Sequence, residues 1–483
     1  MDCFTVIEDA HFLQDHFLQD QCLEDTDGNA RRMQARFKRV SGLGHSSHGP
    51  RYGRPCYRFG PPTVLFNDAL ALLKYDLEHL DKFTPTQEKL SHAFSLIAIA
   101  VEDYSSEATS FKSLRAPLRA LLEAWDLGLD KSAEQDGLWL EWHFAYLIVW
   151  MKSEPGLEGD TFLQSLQVYG NVVKQTPKFI TRTNFPVVLL TMAGNTLMVS
   201  TAIYTDAVYV DKLLSIDLHL GSHGPDKVLR VARVFAAINK CTDTLRIQQS
   251  RLDTLQNMQP DVMYPSPTAD PPEAEIPRLE FICKLDRRSG TPLATVDEAN
   301  EQHAIYLARR QTNTTGDTSG DVVLVKFTPW YNEEAHRLLA DHDPPLAPAL
   351  FSCNRVIGDM YMVVMEYKSD ASPLHLFFSP FTPPCPLKVE VVRKSLKKAL
   401  ELLHGQGLVF GDLQPPNILH SHEGDRVFLV DFDWVGKDGK DRYSPCLSLE
   451  MRTDVSRWQI MEKAHDIKSL EGDMEWLEKA PRV

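Results

Sequence analysis

One stretch, residues 404–434, constrains this chain more than any other part of its sequence. Asn417 follows Asp412 after four intervening residues, and Asp431 directly follows the apolar run Val427–Val430. A carboxylate in a polar loop can orient an attacking hydroxyl and accept its proton. An amide and a second carboxylate supply the hard oxygen ligands that Mg²⁺ prefers. Phosphoryl transfer from ATP needs this set of groups, one carboxylate for the attacking hydroxyl and an amide with a second carboxylate for Mg²⁺.

The stretch resembles the catalytic loop and metal-binding segment (here residues 431–434) of the protein-kinase superfamily. The resemblance implies that Asp412 is the catalytic base and that Asn417 and Asp431 are metal ligands. Three residues depart from the family pattern. Phe410-Gly411 replaces the His-Arg pair, Gln414 replaces a Lys, and Asp433 replaces the Gly of the Asp-Phe-Gly segment. Without an arginine at position 411, no guanidinium there can pair with an activation-loop phosphate, so we expect activity that is not switched by phosphorylation. Without the glycine, we expect the metal-binding segment to keep one conformation.

The same residues also resemble the loop of small-molecule phosphotransferases such as the aminoglycoside and choline kinases. The Phe-Gly-Asp form and the run Val430–Trp434 carry that second resemblance. The phosphoacceptor therefore stays open between a protein and a small molecule.

A lysine lies upstream of this stretch, near the end of a β-branched run. Residues 321–327 predict a buried strand that contains Lys326, followed by a helix with Glu333 and Glu334. The resemblance implies that Lys326 contacts the ATP phosphates and pairs with a helix glutamate. Glu334 shares a helix face with Leu338, so we predict that it points inward and pairs with Lys326.

The strand 361–367 resembles the kinase strand that leads into the hinge. The resemblance implies that Met365 is the gatekeeper and that the backbone of Glu366, Tyr367 and Lys368 faces the adenine. A glycine-rich loop is poorly represented, because the segment after residues 279–285 contains one glycine, Gly290, where the family has three. Since backbone amides approach phosphates closely only where side chains are absent, we expect modest ATP affinity.

Near the end of the sequence, Asp466 begins a helical pattern that resembles the kinase helix bracing the catalytic loop. Few residues follow it, which predicts a shortened C-terminal lobe.

Composition shifts predict four segments: a disordered acidic and polar tail at 1–60, a domain at 61–255, a Pro-rich linker at 256–277 and a kinase-like domain at 278–483. The tail contains a tandem His-Phe-Leu-Gln-Asp repeat whose five-residue period fits neither helix nor strand.

The first domain alternates helical and strand-like patterns and resembles the restriction-endonuclease-like fold. That fold uses an Asp…Glu-x-Lys signature, in which two carboxylates bind Mg²⁺. Asp136 and Lys152 match it, but Trp150 occupies the Glu position, and Glu154 or Glu141 could replace that acid only from elsewhere. We therefore predict a domain that does not cut DNA.

The net charge of −15 argues against broad nucleic-acid binding. The eight cysteines form no Cys-x-x-Cys pair, which favours reduced thiols. The sequence contains neither a membrane-spanning run nor a signal peptide pattern, so we expect a cytoplasmic or nuclear protein without a membrane partner.

The predicted fold class is α+β, a two-lobed kinase-like domain with a shortened C-terminal lobe, preceded by an α/β restriction-endonuclease-like domain. This pairing resembles fungal (basidiomycete) protein-kinase-like proteins and the domain pairs of crinkler-type proteins. The predicted function is an ATP-dependent phosphotransferase that uses Mg²⁺-ATP. The alternatives are a pseudokinase that serves as a nucleotide-binding scaffold and a nuclease with a regulatory kinase-like domain.

Overall fold

The computed structural model of the chain describes two compact units, the first ending at Ala274 and the second beginning at Glu275. The described residues are 61–102, 107–123, 137–141, 144–152, 160–176, 179–180, 182–205, 207–221, 224–252, 260–285, 304–310, 321–378, 388–444 and 455–479. The predicted tail at 1–60 lies outside them. The boundary predicted at residue 278 falls close to the division between the units.

The first unit is a mixed α/β body around a five-stranded sheet with the strand order β1-β2-β3-β4-β5. Its strands are β1 (Gly137–Glu141), β2 (Phe144–Lys152), β3 (Val187–Ala193), β4 (Thr196–Tyr204) and β5 (Val208–Asp217). Strands β2 and β3 are parallel, and the other neighbours are antiparallel. The helices are α1 (Asp68–Glu78), α2 (Gln87–Ala100), α3 (Glu107–Leu121), α4 (Thr161–Gln175) and α5 (Gly224–Ser250).

Helix α4 supplies the crossover that a parallel strand pair requires. Its first turn is capped by Asp160, whose side chain accepts a hydrogen bond of 2.8 Å from the Phe162 amide. Phe162, Leu166 and Val173 are all buried in the core that this helix shares with strands β2 and β3. The apolar spacing of the helix thus places it over the parallel pair.

The second unit begins with a five-stranded sheet in which every neighbouring pair is antiparallel. The strand order is β6-β7-β8-β10-β9. The strands are β6 (Leu279–Lys284), β7 (Ala304–Arg310), β8 (Val322–Thr328), β9 (Leu350–Val356) and β10 (Met360–Glu366). A short helix, α6 (Glu333–Ala340), connects β8 to β9.

The rest of the second unit is mainly helical and carries three short strand pairings. Its elements are β11 (Ala371–Pro373), α7 (Val389–Gly405), β12 (Leu408–Val409), β13 (Ile418–Ser421), β14 (Val427–Leu429), β15 (Gly436–Lys437) and α8 (Lys463–Lys479). Leu396 and Leu403 of α7 share a core with Phe410, Leu413 and Phe432. The polar loop between β12 and β13 therefore lies on a well-packed apolar base.

The Pro-rich stretch predicted as a linker is partly folded against the first unit. A 3₁₀ turn spans Pro260–Met263, the Ser266 amide donates a hydrogen bond of 2.7 Å to the Leu65 carbonyl, and Ala269 is buried. Prolines fix φ and remove donors, but they leave carbonyls and the remaining amides free to dock. Part of the stretch thus packs on the first unit, and the linker at 256–277 stays a prediction.

Within the described ranges, no helix is both long and apolar enough to cross a bilayer. Cys241, Cys283 and Cys353 are free thiols.

Candidate active site

The loop around Asp412 holds that carboxylate in a fixed orientation. The Asp412 side chain is buried, and its Oδ2 accepts hydrogen bonds from Asn417 Nδ2 at 2.7 Å and from Gln414 Nε2 at 3.0 Å. Asn417 Nδ2 also donates to the Asp412 carbonyl at 2.9 Å. Because the amide nitrogen of Asn417 turns toward Asp412, its oxygen turns the other way. The structure thus brings together two of the predicted site residues.

Asp466 braces this loop, as the sequence predicts. Its fully buried carboxylate accepts hydrogen bonds from the amides of Phe410 at 2.8 Å and Gly411 at 2.9 Å. His404 Nε2 lies 2.9 Å from the same carboxylate. Hydrogen bonds to an ionised acceptor are stronger than neutral ones, so helix α8 fixes the backbone just before Asp412.

Gly411 is required by its backbone conformation and by its neighbours. Its φ is +78°, a value that side chains disfavour, and a Cβ there would lie 2.7 Å from the Trp434 carbonyl oxygen. The loop and residues 431–434, the segment predicted to bind metal, therefore touch at position 411. The arginine that the resembled kinases carry at this position would not fit the contact.

Lys326 lies between two carboxylates of the metal-binding segment. Its Nζ is 2.7 Å from Asp431 Oδ1 and 2.8 Å from Asp433 Oδ2, and its side chain is 13% exposed. The predicted ion pair with Glu334 is absent. The Glu334 side chain is exposed, and Glu333 pairs with a neighbouring arginine on the same helix.

The burial pattern of α6 gives the physical reason for that error. The buried residues of the helix are Ala335, His336 and Leu339, whereas Leu338 is only half-buried. Glu334 and Leu338 share a face, as predicted, but that face is the flank of the helix and not its inner side.

Asp433 is held by its neighbours on two sides. Its Oδ2 accepts a hydrogen bond of 2.7 Å from Thr328 Oγ1, in addition to the contact with Lys326. Its Oδ1 is buried and has no hydrogen-bond partner among the described residues. Burial and then the nearby charge of Asp431 raise the pKa of the Asp433 carboxyl, and Lys326 and Thr328 offset part of that rise.

The pKa of Lys326 shows the opposite balance. Burial alone would lower it, but the charges of Asp431 and Asp433 and their hydrogen bonds together raise it. The ammonium of Lys326 is therefore charged at neutral pH, and it balances one of the two acids beside it.

The metal-binding segment is also fixed at Phe432, between its two acids. The Phe432 ring stacks on His336 with a centroid separation of 4.5 Å, and it meets Phe410 edge-on at 5.7 Å. Its carbonyl accepts a hydrogen bond of 3.2 Å from the Asn332 amide. The start of helix α6 is thereby joined to the segment that carries Asp431.

The predicted hinge residues lie at the end of strand β10. Met365 is buried in the sheet, and Glu366 is the last residue of the strand. The Glu366 amide donates to the Ala349 carbonyl at 2.8 Å, and its side chain lies 2.6 Å from Lys368 Nζ. Tyr367 is half-buried. Met365 thus occupies a core position, and the adenine contacts of Glu366 and Tyr367 stay a prediction.

In the first unit, the residues of the predicted nuclease signature are described only in part. Asp136 and Glu154 lie outside the described residues, as does the side chain of Glu141. Trp150 packs against the core cluster that includes α4, and Lys152 is buried two residues further along β2. The place of the missing acid is therefore taken by an apolar contact.

The first unit also contains a concave region, but it offers no chemistry comparable to that of the cluster around Lys326 and Asp431. A cavity of about 570 Å³ is lined by apolar residues and glycines, namely Leu90, Phe94, Leu220, Gly221, Gly224, Pro225, Val228 and Leu229. It lacks the polar groups that orient a reacting ligand. The candidate site is therefore the cluster around Lys326 and Asp431.

Two features of that cluster were not predicted from the sequence. Thr328 was not singled out, and Asp433 was not predicted to pair with Lys326. The signal was present in the strand, because Lys326 and Thr328 are two positions apart and therefore lie on one face of β8. Asp433 was recognised only as a departure from the family pattern.

Comparison with known proteins adds little to this geometry. No protein-family model and no curated protein matches the chain. Among solved structures, the chain is similar to the kinase PK-1 of the Cydia pomonella granulovirus, with 18% identity and a TM-score of 0.27. The match covers 36% of this chain and 63% of the viral kinase, which is less than two thirds of its length. A likeness with this TM-score supports no argument about the function of the chain. No comparison supports the predicted endonuclease-like fold of the first unit.

Proposed function

We propose that the second unit is an ATP-dependent phosphotransferase with a protein-kinase-like fold. The observation that carries the proposal is the convergence of Lys326 and Asp431, which lie far apart in sequence and 2.7 Å apart in space. Asn417 joins them, since its carbonyl accepts a hydrogen bond of 3.0 Å from the Val430 amide, next to Asp431. Asp412 belongs to the same loop as Asn417 and is hydrogen-bonded to it.

The order of elements supports a kinase-like fold independently of these side chains. An antiparallel five-stranded sheet carries one helix between its third and fourth strands in sequence, and a mainly helical part follows. Strand β8 contributes Lys326, and the turn after β14 contributes Asp431. The site thus lies where the sheet of this unit meets its helical part.

The residues present fit a Mg²⁺ ion that arrives with nucleotide phosphates. No group of three or more His, Cys, Asp or Glu side chains in the described ranges forms a metal site by itself. Mg²⁺ commonly keeps one or two protein ligands and takes the rest from phosphates and water. Asn417 and Asp431 would hold it, and the ion would neutralise charge on the transferring phosphoryl group.

Each protein residue has a separate role in the proposed reaction. Asp412 accepts the proton of the attacking hydroxyl, and its hydrogen bonds to Asn417 and Gln414 keep its carboxylate oriented. Lys326 places a positive charge at the phosphates. Asp466 acts through the backbone before Asp412 and is a positioning residue. The phosphoacceptor, a protein or a small molecule, is left open by these roles.

One observation favours a second candidate, a nucleotide-binding scaffold without transfer. Gln414 stands where the family has a lysine, and its amide is directed at Asp412 Oδ2. That oxygen receives two amide donors, and no cation from this loop position is directed toward a transferring phosphate.

The test compares nucleotide binding with turnover in the full chain. Mg²⁺-ATP is expected to raise the melting temperature of the wild type and of Asp321→Asn, which changes an exposed acid just before strand β8. Asp431→Asn is expected to lose this stabilisation. Asp412→Asn is expected to keep binding and to lose turnover. Equal stabilisation of Asp431→Asn and wild type would contradict the proposed site, whereas binding without wild-type turnover would favour the scaffold.

A further inference from the structure

We propose that Asp433 is the residue that positions Lys326 for the nucleotide phosphates, in place of an acid from helix α6. The inference rests on the proposed function, and it assigns a role to the position where the family resemblance leads one to expect a glycine. Asp433 acts through Lys326 and is therefore a positioning residue.

The contact geometry distinguishes Asp433 from the other acids nearby. Asp433 Oδ2 lies 2.8 Å from the Lys326 ammonium and accepts a hydrogen bond of 2.7 Å from Thr328 Oγ1. Thr328 and Lys326 project from the same face of strand β8, so one carboxylate oxygen joins both side chains. Only 18% of the Asp433 side chain is exposed, which keeps competing water away from the pair.

The acids of helix α6 are directed elsewhere. Glu333 Oε1 lies 2.8 Å from Arg337 Nη2, one helical turn along, and the Glu334 side chain is exposed. The side chain of Asn332 caps the helix. The backbone amide of Asn332 donates a hydrogen bond to the Phe432 carbonyl, which joins the helix to residues 431–434. This hydrogen bond directs the start of the helix toward Phe432, so that Glu333 and Glu334 lie on the side of the helix and not on its inner face.

A second acid beside Lys326 removes a competition between Lys326 and Mg²⁺ for Asp431. In the proposed reaction Asp431 is a metal ligand, and a lysine held by Asp431 alone would compete with Mg²⁺ for the same carboxylate. Asp433 gives Lys326 a second, independent partner. The carboxylate of Asp431 can then turn toward a cation while Lys326 stays in place.

The first arm of the test needs no nucleotide. An amine-reactive reagent is applied to the full chain at one fixed pH, and labelling of Lys326 is measured by peptide mass spectrometry. Asp433→Asn is expected to raise that labelling several-fold. Glu334→Gln, the matched removal of a helix charge, is expected to leave it unchanged. Lys368, which pairs with Glu366 in the same unit, reports unfolding, because a general loss of structure would raise its labelling too.

The second arm measures ATP turnover by the same variants. Asp433→Asn is expected to lower kcat/KM for ATP by at least about tenfold, the size expected for one charge-assisted hydrogen bond. The KM for ATP is expected to rise, because Lys326 without its contact to Asp433 would no longer be held in place to bind the ATP phosphates. Glu334→Gln is expected to stay within about twofold of wild type. Thr328→Val, a near-isosteric change that removes only the hydrogen bond to Asp433, is expected to give an intermediate effect and serves if Asp433→Asn does not fold.

The outcomes separate this inference from the proposed function. If the wild type does not turn over ATP but the labelling contrast holds, the anchoring by Asp433 stands and the phosphotransferase proposal fails. If Glu334→Gln exposes Lys326 and neither Asp433→Asn nor Thr328→Val does, the anchor is the helix acid and the inference is overturned.

Discussion

Acidification is expected to weaken the packing of helix α6 on Phe432, because a buried histidine of the helix stacks on that ring. His336 is fully buried and stacked on Phe432. Its Nε2 lies 2.8 Å from the Pro348 carbonyl, which can only accept, so Nε2 carries the proton. Its Nδ1 lies 2.6 Å from the Tyr331 hydroxyl and therefore accepts. The native contacts thus suit the neutral ring.

The size of the effect follows from the pKa of this ring. Burial lowers the pKa of His336 from 6.5 to about 4, although its contact with Pro348 opposes the shift. A group whose folded pKa is depressed binds more protons when unfolded, so its stabilisation is present at neutral pH. It is lost as the pH falls from the unfolded pKa toward the folded one. Linkage then predicts a loss of about 2 kcal/mol between about pH 7.5 and about pH 5.

Hydrogen exchange measures this loss where it occurs. Protection of the amides of Glu333–Ala340, corrected for the intrinsic pH dependence of exchange, gives the local free energy of opening in the slow-chemistry regime. Asp433, whose raised pKa acts in the opposite sense, is present in both proteins, so the contribution of His336 is measured as a difference. His336→Gln keeps a donor for the Pro348 carbonyl but cannot titrate, so over this pH range the wild type is expected to lose about 2 kcal/mol more of that free energy than the variant. His422→Gln, at an exposed histidine, is the control. An unchanged slope in His336→Gln would refute the reasoning.

Three further substitutions and one cleavage assay test other parts of the structure. Gly407→Ala is expected to destabilise the protein by about 1 kcal/mol, because its φ of +72° is strained for alanine but its surroundings are open. Gly411→Ala is expected to cost at least about 2 kcal/mol more, since its Cβ would press on the Trp434 carbonyl; equal losses in chemical denaturation would contradict this contact. Asp466→Asn leaves a buried amide of the catalytic loop without its acceptor, which costs about 1–3 kcal/mol and should speed exchange of the loop amides; an unchanged exchange rate would argue against the brace. Plasmid incubated with the protein and Mg²⁺ or Mn²⁺ is expected to stay intact, and cleavage that disappears in Lys152→Ala would show an active nuclease.

Much of the candidate site could be predicted because its residues are fixed by local sequence. Residues 404–434 combine turn-forming residues with short apolar runs, and the strand containing Lys326 is β-branched over most of its length. The bracing role of Asp466 was predicted only from the resemblance of its helix to the kinase helix, because its contacts with Phe410 and Gly411 join distant parts of the sequence. For the loop and the strand, the backbone geometry depends on neighbours in sequence.

The partner of Lys326 could not be predicted in this way, because it depends on how α6 is rotated about its axis. Sequence periodicity identifies a helical face, but two adjacent faces of so short a helix differ little in composition. The packing of His336 on Phe432 selects the face, and this contact spans almost one hundred residues of sequence. Strand β9 was missed as well, because Ser352, Asn354 and Arg355 interrupt its apolar pattern and it is held by pairing with the apolar strand β10.

The same contacts explain how the metal-binding segment keeps a strained backbone without its glycine. Asp431 has a φ of +71°, a left-handed conformation that costs free energy for any residue with a side chain. Such strain persists only where the surroundings determine the conformation more than once. Here Asp433 is held by β8, the Phe432 carbonyl by the Asn332 amide, and the Phe432 ring by His336. Turning the segment over would break all of these contacts together, so the expectation of one conformation follows from several independent ties and not from the lost glycine alone.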